Sequence, residues 1–75
     1  MNAKALTQAE ALQMVRKLSE YQTMVSAELA ARAIGTTGQT IREAARQNYP
    51  IGVKTVVLGR HRVNVTCRSI LALME

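Results

Sequence analysis

The residues able to do chemistry in this 75-residue chain are few, and most of them are cations. Arg42, Arg46, Lys54, Arg60, Arg62 and Arg68 all fall between positions 36 and 68, where Glu43 is the one acid. The preceding 35 residues are near balance, with Lys4, Arg16, Lys17 and Arg32 against Glu10, Glu20 and Glu28. The formal net charge of +5 is therefore concentrated in the second half of the chain. Clustered Lys and Arg suit a polyanion, because each phosphate they neutralise releases condensed counterions. Gln39 and Arg42 in the same stretch are also the side-chain types that pair in two-pronged fashion with adenine and guanine edges.

Catalysis finds much less support. The five acids show no paired arrangement for acid–base work, no Ser or Cys has an evident base partner, and no phosphate-binding glycine motif is present. His61 stands without Cys or carboxylate neighbours, so a metal site is not expected there. Cys67 is alone and cannot form an internal disulfide; a buried, inert thiol is the expectation. The chemistry points to binding without an enzyme activity, cofactor, metal or small-molecule substrate.

These side chains need a small scaffold, and the patterning supplies one. A hydrophobic fraction of 48% excludes disorder, and no run reaches the roughly eighteen apolar residues of a membrane span. Met1-Asn2-Ala3-Lys4 leads into alternating polar and apolar residues, not into the apolar block of a signal peptide. A cytoplasmic protein is expected. Thr7-Gln8-Ala9-Glu10 has the form of a capping box and starts a helix over 8–20 with Ala11, Met14, Val15 and Leu18 on one stripe. Tyr21 to Val25 has strand character, Ser26 can cap a helix over 27–34, and Gly35 can end it in a left-handed conformation. Thr37 can cap a helix over 38–47, with Ile41, Ala44 and Ala45 inward and Asn48-Tyr49-Pro50 as its stop. Strands over 53–58 and 62–65 meet through Gly59-Arg60-His61, and Thr66 caps a last helix that returns Ile70, Leu71, Leu73 and Met74 to the core. Met14, Met24 and Met74 are expected as core filler. The fold class is α+β, in the order α-β-α-α-β-β-α.

Two short helices joined by about three residues with a glycine have the form of a helix-turn-helix. Leu29 to Arg42 resembles that pattern in detail: small Ala30 at the crossing, Gly35 in the turn, Thr37 as cap and Ile41 buried, with Thr36 departing from the usual Val or Ile. With the hairpin, Arg62-Val63-Asn64-Val65-Thr66 and Ser69-Ile70-Leu71-Ala72-Leu73 included, residues 21–75 resemble the excisionase-type winged helix-turn-helix domains of temperate phages and mobile elements, relatives of the MerR-type DNA-binding domain. MerR-type regulators continue into a long dimerisation helix and an effector domain. The sequence stops at Glu75, so the expectation leans to the excisionase side.

The resemblance implies a winged domain over 21–75 with an extra N-terminal helix over 1–20 that packs on it or extends it. It implies binding of double-stranded DNA at repeated sites beside an attachment site in a bacterial host, bending of that DNA, self-association along it, an integrase as partner, and repression of promoters. On the recognition helix the implied contacts are Thr37, Gln39, Thr40, Arg42 and Arg46. On the wing they are Arg60, His61 and Arg62, with Lys54 as an outlying phosphate contact. The plain alternative is that Arg42 and Arg46 only solvate a helix and pair with Glu28 or Glu43. Two other functions fit parts of the chain. Ile34-Gly35-Thr36-Thr37-Gly38-Gln39-Thr40-Ile41 matches the I-G-x-x-G-x-x-I signature of KH domains, whose loop clamps a single-stranded backbone, although threonines stand where a basic residue is common. A protein-interaction module, docking through the apolar N-terminal helix, is the other.

Overall fold

Every helix among the described residues starts on a hydroxyl, which is where the sequence places its caps. The side chains of Thr7, Ser26, Thr37 and Thr66 accept from the amides of Glu10, Leu29, Thr40 and Ser69, satisfying donors that a helix start leaves free. The capping box at Thr7 is complete, since Glu10 also accepts from the Thr7 amide at 2.9 Å. This bond holds the Glu10 carboxyl below its ordinary pKa. The structure is a computed structural model in which residues 6–60 and 62–75 are described. Its elements are α1 (Gln8–Leu18), β1 (Met24–Ser26), α2 (Ala27–Ile34), α3 (Gly38–Gln47), β2 (Thr55–Leu58), β3 (Arg62–Thr66) and α4 (Cys67–Met74).

The strands form one antiparallel sheet in the order β1-β3-β2. Val65 of β3 faces Val25 on one side and Thr55 on the other, and Val63 faces Val57. Residues directly opposite share a face, so the Val63 and Val65 face turns to the helices while Asn64 turns outward. The core joins Ala11 and Val15 of α1, Ala27, Ala30, Ala31 and Ala33 of α2, Ile41 of α3, the two valines of β3, and Cys67 and Ile70 of α4. The alanines keep α2 thin, which lets α1 pack closely along it while α3 and α4 lean on its other sides. This is a small α+β arrangement of four helices and three strands among the described residues. None of those helices is long and apolar enough to cross a membrane.

Three sequence expectations are corrected. The strand over 21–25 shrinks to Met24–Ser26, and Tyr21 is 84% exposed. Its partner β3 turns into α4 at Cys67, whose amide still donates to Thr23 at 2.9 Å, so the pairing ends there and leaves none for residues 21 and 22. The amides of Ser19 to Gln22 instead close the end of α1, donating to carbonyls of Val15, Lys17 and Leu18. Met14 is 41% exposed, because the stripe of α1 is centred on Ala11 and Val15 and Met14 lies at its margin. Leu73 is 47% exposed and rests against Gly52 without entering the core.

Candidate nucleic-acid interface

The link between α2 and α3 is fixed at both ends by its own chemistry. Gly35 takes φ 81°, a left-handed conformation that costs glycine little, and its amide donates to Ala31 at 2.9 Å. The Gln8 amide reaches this end of α2 and donates to the Ala33 carbonyl at 3.2 Å. Thr37 is extended, and its hydroxyl receives the Thr40 amide at 3.2 Å while lying 2.9 Å from the Thr40 hydroxyl. Both threonines therefore begin α3, and their hydroxyls are committed to each other.

Ile41 and Ala44 bury the inner face of α3, so the opposite face is set. On it Gln39, Glu43 and Arg46 are exposed, and Arg42 is half-buried beside them. The Arg42 guanidinium donates to the Glu28 carboxylate of α2, as the plain alternative anticipated for this arginine. The Arg42 hydrogen bond is the first cause that holds the Glu28 carboxyl below its ordinary pKa, with a backbone bond second. Sequence reasoning offered Glu28 only as a neutralising partner. Fourteen residues separate the pair, and only the crossing of α2 and α3 joins them.

The hairpin presents its cations differently. Arg60 and Arg62 are exposed at the tip, where Gly59 has φ 72° and open space around it. His61, expected here as a wing contact, lies outside the described residues. Lys54 does not join this group. Its carbonyl accepts from Thr66 at 3.1 Å, placing it at the base of the hairpin, four residues and about 13 Å of strand away from Leu58. There it lines an open groove with Gln22, Thr23, Arg68, Leu71 and Glu75. Among the described residues the ion pairs are Arg42 with Glu28 and Arg16 with Glu75, the latter at 3.2 Å. Arg46, Lys54, Arg60, Arg62 and Arg68 enter none of them.

Other reactive groups are held inert. Cys67 is 2% exposed, its thiol 3.7 Å from the Gln22 carbonyl, and burial pushes its pKa up, away from the reactive thiolate. No group of three potential metal ligands occurs among the described residues. No family model, curated protein or solved structure matches the chain.

Proposed function

We propose that the chain is a winged helix-turn-helix protein that binds double-stranded DNA, with α3 as recognition helix and the β2–β3 hairpin as wing. The observation that carries this reading is the outer face of α3. Gln39, Arg42 and Arg46 share it, and Ile41 and Ala44 fix its direction from the opposite side. A helix anchored in this way offers base-reading side chains to a major groove while the exposed Arg60 and Arg62 meet phosphates alongside. By its resemblance the protein acts as an excisionase in a bacterial host. It binds repeated sites, associates with further copies along them, bends the DNA, engages an integrase and represses neighbouring promoters. A domain of this size makes few base contacts, so selectivity from deformation and cooperative binding suits it.

The KH reading meets an obstacle at Gly38. That residue is the second glycine of the matching loop, and the paired heads of Glu28 and Arg42 occupy the space above it that a clamped backbone would have to enter. Docking through α1 loses ground as well, because Ala11 and Val15 spend the centre of that face on the core.

A titration of the protein against duplex DNA, single-stranded DNA and RNA across a salt series tests the proposal. Duplex binding should dominate, and log affinity should fall with log salt at a slope near −0.9 per phosphate contacted. Preference for a single strand would return the KH reading. Footprinting over the attachment region and early promoter of the parent element then separates excision from repression.

A further inference from the structure

We propose that Glu28 is a positioning residue that sets the sequence preference of the domain, by holding the Arg42 fork in place to read a guanine. The inference rests on the duplex-binding reading and concerns how one cation differs from the others. α2 carries Glu28 on a backbone locked by buried Ala27, Ala30 and Ala31, so the carboxylate is presented from a fixed element although its head is exposed. Arg42 stands one turn into α3, with its side chain 33% exposed against 66% for Glu28. The two meet above Gly38, the first residue of α3. A Cβ built there would lie 3.2 Å from Glu28 Oε2 and 3.3 to 3.4 Å from the Arg42 Nη atoms. Glycine thus leaves the space that the pair fills, and the carboxylate gains from the positive end of the α3 dipole.

An arginine has five N–H donors in a rigid planar fork. Glu28 takes one edge of that fork and leaves donors on the others. An arginine without a partner ordinarily loses rotamer freedom when it docks, and it settles as readily on a phosphate as on a base. Here the internal ion pair has already restricted Arg42, which favours the two-pronged contact to guanine O6 and N7. The carboxylate also repels phosphates from the same spot. Arg60 and Arg62 are exposed and outside any described ion pair, and their unrestrained forks suit phosphates.

The test begins with selection of preferred sites from a random duplex library by the wild-type protein. Affinities of wild type, Glu28→Gln, Arg42→Ala and Arg42→Lys are then measured on the selected site and on a set of single base-pair replacements. Glu28→Gln keeps the side chain's shape and removes its charge, so thermal unfolding should stay close to wild type. Its discrimination should fall by about tenfold at one G·C pair, the size of one lost two-pronged contact. The same pair should be the one affected in both Arg42 variants, while affinity for unrelated duplex stays equal or rises as the repelling carboxylate is neutralised. Wild-type discrimination at every position in Glu28→Gln would overturn this proposal and leave the duplex reading standing. A wild-type chain with no duplex binding would overturn both.

Discussion

The two basic regions of the molecule hold their cations in opposite ways. On α3 the cations stand on a helix nailed to the core by Ile41, 0% exposed, and Arg42 is further tied to Glu28. At the hairpin tip the backbone runs beyond the core: Val57 is 53% and Leu58 38% exposed, and Arg60 and Arg62 reach no described acid. A fixed cation can tell one base from another, because only a set geometry penalises the wrong partner. A loose one neutralises whichever phosphate is near. Under the proposed duplex binding, the same net charge would serve selectivity on one element and affinity on the other.

The sharpest way to break this contrast is to remove the anchor. Ile41→Ala should destabilise the protein by about 2–5 kcal/mol, read by denaturant unfolding, because a fully buried side chain leaves a cavity. Val57→Ala at the tip should stay within about 0.5 kcal/mol. Equal costs would show that the hairpin is as firmly built as α3. Next in size comes Arg42→Ala, expected to lower affinity for the preferred duplex by about 1–3 kcal/mol and to relax choice at one base pair, with the fold retained. Arg60→Ala, also with the fold retained, should weaken all duplexes alike and reduce the salt slope by about one contact. Unchanged affinity in both variants would remove the docking geometry altogether.

The elements themselves could be read from the chain because their signals are local. Thr7, Ser26, Thr37 and Thr66 each bond an amide three residues on, and Gly35 ends its helix within its own turn. The errors arose where a distant partner decides. Tyr21 to Thr23 have strand-forming side chains, yet β3 becomes α4 at Cys67 and offers no pairing beyond Thr23. Lys54 is not among the errors, since it is expected as an outlying contact and stands at the hairpin base. For Arg42 the sequence leaves Glu28 and Glu43 both open as partners, and the crossing of α2 and α3 selects Glu28.

Acid should affect the two regions unequally. The folded Glu28 carboxyl titrates below its ordinary value, chiefly through its bond from Arg42, so the pairing is intact above the ordinary carboxylate range. It is lost as pH falls through the folded value, where the protonated Glu28 releases Arg42. Arg60 and Arg62 enter no described ion pair that acid could break. An NMR titration should show Arg42 side-chain signals moving together with Glu28 while those of the hairpin arginines stay put. Arg42 signals that ignore the Glu28 titration would mean that the fork is free in solution.

Two glycines, one in each region, separate space from conformation. Gly59 has φ 72° and nothing within 4 Å of an added Cβ, so Gly59→Ala is limited by backbone alone and should cost about 1–2 kcal/mol of stability. Gly38 is the reverse case. It has no positive φ, and alanine there favours the helix by up to about 1 kcal/mol, but the new methyl meets the Glu28 and Arg42 heads at 3.2 to 3.4 Å. Both heads are ends of flexible side chains and can move by the few tenths of an ångström required. Gly38→Ala should therefore leave the melting temperature unchanged or raised while slightly reducing base discrimination. Because this variant alters no charge, reduced discrimination without reduced stability would trace the selectivity to the position of the Arg42 fork and not to net charge.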